Sequence, residues 1–170
     1  MTAQIANGGY KIKSKIIVND DPLSLEDAKT AMELQSLQTP NTKLFNDPKN
    51  IKLVQEAMFS STNEQFGTSY RSRIEDPKYQ FAGKTGTAQV KRISKREREL
   101  DLKLEQIPYK DRDHALYVAY GPYKNPRYAL SIISEHGGLG SKAAYPMAKE
   151  LFRLIIDRDE PRDKQSNFEN

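Results

Sequence analysis

Two runs in the second half of the chain, His114 to Gly121 and Arg127 to Glu135, are apolar on both faces. Leu116 and Val118 alternate with Ala115 and Tyr117, and Leu130 and Ile132 alternate with Ala129 and Ile133. Pro122-Tyr-Lys-Asn-Pro126 joins them with turn-forming residues, so the pair is expected to close as an antiparallel hairpin. A sheet apolar on both faces needs a cover on both. One cover is expected from the last helix, which follows the turn Gly137-Gly138-Leu139-Gly140 and the cap Ser141 and runs to about Asp157. Met147, Leu151, Leu154 and Ile155 form its apolar stripe, and Pro146 is tolerable there only in the first turn. The expected class is α/β of the α+β type, an antiparallel sheet flanked by helices.

A second helix is expected to start at Asp47-Pro48, an acceptor at the cap followed by a proline pre-set for the first position. Ile51, Val54, Ala57 and Met58 are its expected buried stripe, with Met58 and Phe59 in the core. Ser61-Thr62-Asn63 reads as the end of this helix and not as a catalytic Ser-x-Asn, because it lies close before Lys84. Met1 to Ala6 reads as a short helical stretch stopped by Asn7-Gly8-Gly9. So short a helix is unstable alone, so the chain is expected to begin inside an element whose first half is missing.

Tyr10 to Val18 alternates as a half-buried strand, with Lys11, Lys13 and Lys15 on a solvated face that would guard a sheet edge. Asn19 to Asn46 is a polar excursion with a short helix expected near Ser24 to Leu34. Lys91 to Asp113 is a second, charged excursion whose middle, Ser94 to Glu105, can form a solvated helix. It directly follows the stretch treated next, where it could gate or dock. His136 beside the glycines has no second histidine or acid at motif spacing, so a structural role is expected. Arg158 to Asn170 is polar and expected to be disordered, which divides the chain into a folded part, 1–157, and a tail, 158–170.

With 170 residues the chain is the size of one domain. Its net charge of +4 is spread among acids and forms no dense stripe, which argues against nucleic acid. There is no cysteine, hence no disulfide framework and no thiolate metal site, and neither metal nor cofactor is expected. No apolar run approaches the roughly 18 residues of a membrane span, and no secretory signal pattern opens the sequence.

The chemistry concentrates in Lys78-Tyr-Gln-Phe-Ala-Gly-Lys-Thr-Gly-Thr-Ala-Gln-Val90, and within it in Lys84-Thr85-Gly86-Thr87. A lysine can offset a carboxylate, two threonines can donate hydrogen bonds to it, and a glycine admits a close backbone. On a strand, Lys84 and Gly86 fall on one face and Thr85 and Thr87 on the other. All can serve one ligand only if a cleft runs along the strand's edge. Gly83-Lys84-Thr85 is also the tail of a phosphate-binding loop, but Lys78 stands where that loop needs its first glycine.

Lys84-Thr85-Gly86-Thr87-Ala88-Gln89 resembles the third motif of the penicillin-binding transpeptidases, a family marked by Ser-x-x-Lys, Ser-x-Asn and Lys-Thr-Gly. Ile5-Ala-Asn-Gly-Gly-Tyr10, Gly67-Thr-Ser-Tyr70, Arg112-Asp-His114 and Tyr120-Gly-Pro-Tyr-Lys-Asn-Pro-Arg127 resemble the same family, in order along the chain. The likeness runs from about residue 3 to about residue 157 and is to the C-terminal part of the transpeptidase domain in class B, elongation-type members.

The resemblance implies a partial serine β-lactamase/D,D-transpeptidase-like fold. It implies a peptidoglycan stem peptide as substrate, β-lactams as ligands, and a parent enzyme at the periplasmic face of the bacterial inner membrane. Lys84 would hold the substrate carboxylate and join the proton relay, and Thr85 and Thr87 would hydrogen-bond that carboxylate. Gly86 would leave room for the substrate backbone. The N–H of Thr87 would supply half of the oxyanion hole, and Gln89 would lie further along the same edge.

No serine in the chain is followed three residues later by lysine, so the family's nucleophile has no counterpart here. Loss of a nucleophile costs orders of magnitude in rate, so the chain alone is expected to be inactive and to need the N-terminal half of such an enzyme as partner. Made alone it would stay in the cytoplasm. Two other classes remain open at this point: a nucleotide-binding protein using Gly83-Lys84-Thr85, and a non-catalytic interaction domain docking through the hairpin.

Overall fold

The computed structural model of the chain describes residues 1–12, 43, 45, 47–92, 100 and 102–166. Among these residues three helices, α1 (Thr2–Ala6), α2 (Pro48–Asn63) and α3 (Ala144–Ser166), accompany three strands, β1 (Ala82–Ala88), β2 (His114–Gly121) and β3 (Tyr128–Ser134). The strands form one antiparallel sheet in the order β1-β2-β3. Thr85 pairs with Tyr117 and Ala88 with His114, while Ala115 pairs with Ser134 and Gly121 with Tyr128. The hairpin expected from the two apolar runs is present, and β1 takes one edge of the sheet. The expected strand over 10–18 is described only to Ile12, where Tyr10 bridges Lys43, and the helix expected near 24–34 lies outside the described residues.

α2 begins as expected: the Asp47 carboxylate accepts from the backbone N–H of Lys49 at 2.8 Å and Pro48 fills the first turn. Its buried stripe is rotated from the expected one. Ile51, Met58 and Thr62 are buried, whereas Val54 and Ala57 face water. Gln55 completes the inward row by donating to the carbonyls of Ile5 at 2.7 Å and Ala6 at 3.3 Å, the loose end of α1. The row 51, 55, 58, 62 keeps helical spacing but half of it is polar, so a count of apolar residues misplaces it.

α3 covers one face of the sheet. Ala144, Tyr145, Ala148, Phe152 and Ile156 pack with Ala115, Tyr117 and Ala119 of β2 and with Phe81 and Ile74. Phe81 stacks on Phe152 with centroids 4.6 Å apart, and Tyr145 meets Tyr117 edge-on at 5.2 Å. The stripe expected from sequence faces the other way: Met147, Leu151 and Leu154 are exposed. Alanines let the helix approach the sheet and aromatics then fill the layer, so this face wins although it looks less oily. The helix also runs past Asp157 into the stretch expected to be disordered. Its Asp157 carboxylate takes Tyr79 Oη at 2.6 Å and Lys78 Nζ at 3.0 Å, and Asp159 accepts from Tyr128. These polar ties draw two of its carboxylates onto the body of the protein, and the hydrogen bonds to Asp157 hold that carboxyl below its usual range.

The opposite face is covered by α1 and α2, with Met58, Ala82 and Tyr120 at the centre and Ile5, Ala6, Phe59, Val118 and Tyr123 around them. The Tyr120 hydroxyl is buried there without a hydrogen-bond partner among the described residues. An unsatisfied buried hydroxyl costs about 1 kcal/mol or more, which for a chain of this size corresponds to about 2–4 °C in melting temperature. Tyr120→Phe is therefore expected to raise the melting temperature followed by circular dichroism, and a fall would show that the hydroxyl is satisfied.

Candidate functional site

β1 is the edge strand that carries Lys84-Thr85-Gly86-Thr87, and α2 packs along it. Tyr79 belongs to a short 3₁₀ turn, Pro77–Tyr79, and the strand opens only at Ala82. The strand is pinned by the end of α2. Thr62 Oγ1 lies 2.9 Å from Tyr117 Oη and donates within reach of Gly83 O at 3.4 Å, and Asn63 Nδ2 donates to Phe81 O at 3.0 Å. Burial pushes the Tyr117 phenol well above its ordinary range, against the opposing hydrogen bond from Thr62, so the phenol stays neutral. Ser61-Thr62-Asn63 is thus a helix end, as expected, and its last two side chains fix the height of β1.

At the edge itself the ammonium of Lys84 folds back over the strand. Its Nζ donates to the carbonyl of Thr85 at 3.0 Å and to Thr85 Oγ1 at 3.2 Å. A cation from one face and a hydroxyl from the other therefore meet at the strand margin, which is the arrangement an edge cleft requires. Thr85 Oγ1 is followed by Thr68 Oγ1 at 3.4 Å and Ser61 Oγ at 3.4 Å, a row of hydroxyls leading away from the ammonium. Sequence reasoning missed this row because Ser61, Thr68 and Thr85 are brought together only by the turn after α2. Its tightness depends on Gly67, where a Cβ would stand 2.4 Å from Ser61 O.

Gly86 has only Leu116 Cβ near its own missing Cβ, at 3.3 Å, so that position is otherwise open. From the other direction Gly140 closes on the same strand, its Cβ position 2.9 Å from Gly86 O and 3.2 Å from Thr85 Cβ. The glycine turn after β3 therefore presses on the residues that line the edge. Thr87 is exposed at the far end of the strand. Gln89 lies just past it, exposed, and its side chain has no hydrogen-bond partner among the described residues. The structure brings together Lys84 and Thr85, sets Gly86 and Thr87 on the same edge, and leaves Gln89 apart. Gly83-Lys84-Thr85 sits inside a strand that runs on to Ala88, where a phosphate-binding loop would open a helix, so the nucleotide-loop reading fails on geometry.

His136, expected to be structural, adopts a left-handed φ of 55° and donates its backbone N–H to His114 Nδ1 at 2.9 Å. Its ring packs on His114 and Tyr109.

The sequence matches the penicillin binding protein transpeptidase domain over residues 1–157. The chain belongs to that family. Among curated proteins it is similar to the peptidoglycan D,D-transpeptidase MrdA of Salmonella typhimurium, 32% identical over 155 residues, covering 90% of this chain and 23% of the relative. MrdA of Haemophilus influenzae is 29% identical over 158 residues, with 89% and 24% covered. The chain thus spans about a quarter of the length of the curated transpeptidases it matches. Among solved structures, Pseudomonas aeruginosa PBP2 in complex with WCK 5153 superposes with a TM-score of 0.61 at 27% identity, over 91% of this chain and 28% of that one. PBP2 of Helicobacter pylori in its complex with MreC gives 0.51 at 30% identity, over 69% and 21%. The fold of this penicillin-binding transpeptidase segment is therefore the serine β-lactamase-like one expected, and its relatives are of the PBP2 type.

Proposed function

We propose that the chain is the substrate-edge portion of a peptidoglycan D,D-transpeptidase, and that β1 is the strand along which the terminal carboxylate and scissile carbonyl of a stem peptide are held. The observation that carries this is the Lys84 ammonium gathered against Thr85 at an open sheet edge, with Gly86 leaving space beside it. Lys84 binds the carboxylate by charge, and the Thr85 and Thr87 hydroxyls complete its hydrogen bonds. The Thr87 N–H takes the carbonyl oxygen as negative charge develops, and Gln89 meets the substrate further along.

With no Ser-x-x-Lys in the chain, it does not acylate. The nucleophile, its lysine and the second oxyanion N–H come from the remaining polypeptide of the enzyme. The exposed Met147, Leu151 and Leu154 row on α3 offers that polypeptide an apolar surface. The parent enzyme works at the periplasmic face of the inner membrane, in cell-wall synthesis and the maintenance of cell shape. Among the described residues no helix is long and apolar enough to cross a membrane.

A fluorescent penicillin, whose carboxylate stands in for that of the stem peptide, tests both parts. The chain is expected to bind it reversibly, with no adduct surviving a denaturing gel. Lys84→Ala should weaken binding at least tenfold, since a charge-assisted hydrogen bond contributes about 1.5–3 kcal/mol. A covalent adduct contradicts the inactivity, and binding indifferent to Lys84→Ala contradicts the carboxylate role.

A further inference from the structure

We infer that Thr68, on the turn after α2, is a positioning residue for the edge of β1: its hydroxyl orients that of Thr85, so that Thr85 presents its proton to the ligand's carboxylate. This inference rests on the function proposed above and adds to it a residue that acts through another. Three hydroxyl oxygens run in a row at the strand edge, Ser61 Oγ, Thr68 Oγ1 and Thr85 Oγ1, with 3.4 Å between neighbours. Lys84 Nζ reaches the last of them at 3.2 Å.

The two ends of the row fix its direction. An ammonium has only protons to give and an ionised carboxylate only lone pairs, whereas a hydroxyl has one proton and two lone pairs. Lys84 therefore fills one lone pair of Thr85 Oγ1. For the single proton of Thr85 to go to a carboxylate, Thr68 must donate to Thr85 rather than accept from it. Ser61 in turn donates to Thr68, and the sense of the row is Ser61 to Thr68 to Thr85 to ligand. Hydrogen bonds in such a chain polarise one another, and the last of them, ending on a charge, is of the strong kind. At 3.4 Å the two inner contacts are long for O–H···O. The free row is thus loosely closed, and it tightens when an anion draws on its far end.

The turn is built to hold Thr68 in that place. Ser69 donates its backbone N–H to Ser61 O at 3.1 Å, and Gly67 donates to Glu64 O at 2.8 Å. A Cβ on Gly67 would stand 2.4 Å from Ser61 O and 2.5 Å from Ser60 O, so the turn lies against the end of α2 as only glycine permits. Ser69 is buried, which keeps the turn from swinging outward. The backbone of β1 is anchored by Thr62 and Asn63, which bond to the carbonyls of Gly83 and Phe81. Thr68, whose side chain is exposed, reaches a side chain instead, the one that the ligand needs.

The experiment measures reversible binding of the fluorescent penicillin to the full chain by anisotropy, with circular dichroism as the check on fold. Thr68→Val keeps the shape and removes the hydroxyl, and should weaken binding about three- to tenfold, the range that one hydrogen bond commands. Thr68→Ser keeps the hydroxyl and should bind like the unaltered chain. In a Thr85→Val background Thr68→Val should cost nothing further, since the hydroxyl that it orients is gone. Ser61→Ala should weaken binding by a smaller factor, and by none in the Thr68→Val background. If Thr68→Ser binds as weakly as Thr68→Val, or the loss persists undiminished in the Thr85→Val background, Thr68 acts through the backbone of its turn and the inference is overturned. It is overturned too if Thr68→Val leaves binding unchanged while Lys84→Ala weakens it, and in each of these cases the proposed function stands. Should Thr68→Val disturb the fold, Thr68→Ser and Ser61→Ala decide: binding kept by the first and weakened by the second supports the row, and any other result overturns it. If the penicillin does not bind, or binds regardless of Lys84→Ala, the proposed function falls and this inference with it.

Discussion

Phe152→Ala is expected to destabilise the chain by about 3–5 kcal/mol, the usual cost of emptying a buried aromatic site. Set against a total stability of about 5–15 kcal/mol for a domain, that loss would leave much of the protein unfolded at moderate urea. Phe152 is 0% exposed and lies at the meeting point of three elements. It stacks on Phe81, the residue that leads into β1, at 4.6 Å and 22°. Gly121 at the end of β2 comes so close that a Cβ there would stand 3.0 Å from Phe152 Cε1. Neither neighbour can move in to fill the void, because β1 is held through Asn63 and Phe81 O and β2 is held on both sides by its neighbours. Leu154→Ala on the same helix removes a side chain 66% exposed and should change stability by less than about 0.5 kcal/mol. Urea denaturation of the two variants decides which face of α3 meets the sheet. A larger loss from Leu154→Ala than from Phe152→Ala would mean that the Met147, Leu151 and Leu154 row is the buried one.

That contrast also marks where the sequence can be read and where it cannot. The hairpin was legible because period-two alternation with apolar residues on both faces leaves few other structures, and the start of α2 because Asp47 and Pro48 act within one turn. Local signals suffice for both. The inward faces of α2 and α3 were not legible, because each is decided by what the partner surface can accept. Gln55 and Thr62 turn inward since carbonyls of α1 and a phenol of β2 await them. Ala144 and Ala148 turn inward since the sheet must come close before Phe81 and Phe152 can stack.

The site divides in the same way. Lys84, Thr85, Gly86 and Thr87 were placed on an exposed strand edge from four adjacent residues. Thr62, Asn63, Thr68 and Gly140 hold that edge from 17 to 55 positions away, and no spacing in the sequence links them to it.

Gly83→Ala is expected to damage stability and ligand binding together. The added Cβ would lie 2.4 Å from Tyr117 Oη, 2.6 Å from Cζ and 2.7 Å from Cε1, so the whole edge of the ring is in the way. Tyr117 cannot swing aside: it is 0% exposed, meets Phe81 and Tyr145 edge-on, and its hydroxyl is 2.9 Å from Thr62 Oγ1. The strand must therefore lift. Overpacking costs about 1–3 kcal/mol, and loss of the contact between Thr62 and Tyr117 adds about 1 kcal/mol, a total of about 2–4 kcal/mol. Lys84 and Thr85 follow directly on Gly83, so the same lift carries both away from Thr68, whose hydroxyl lies 3.4 Å from Thr85 Oγ1, and penicillin binding should fall with stability. Gly86 makes the opposite case, because its missing Cβ faces only Leu116 Cβ at 3.3 Å, whereas that of Gly83 meets the Tyr117 ring in the core. A double-mutant cycle isolates the conflict. In the background of Tyr117→Ala the methyl group has room, so Gly83→Ala should cost almost nothing further in urea denaturation. A full, additive cost in that background would place the obstruction elsewhere and remove the argument that Tyr117 sets the height of β1.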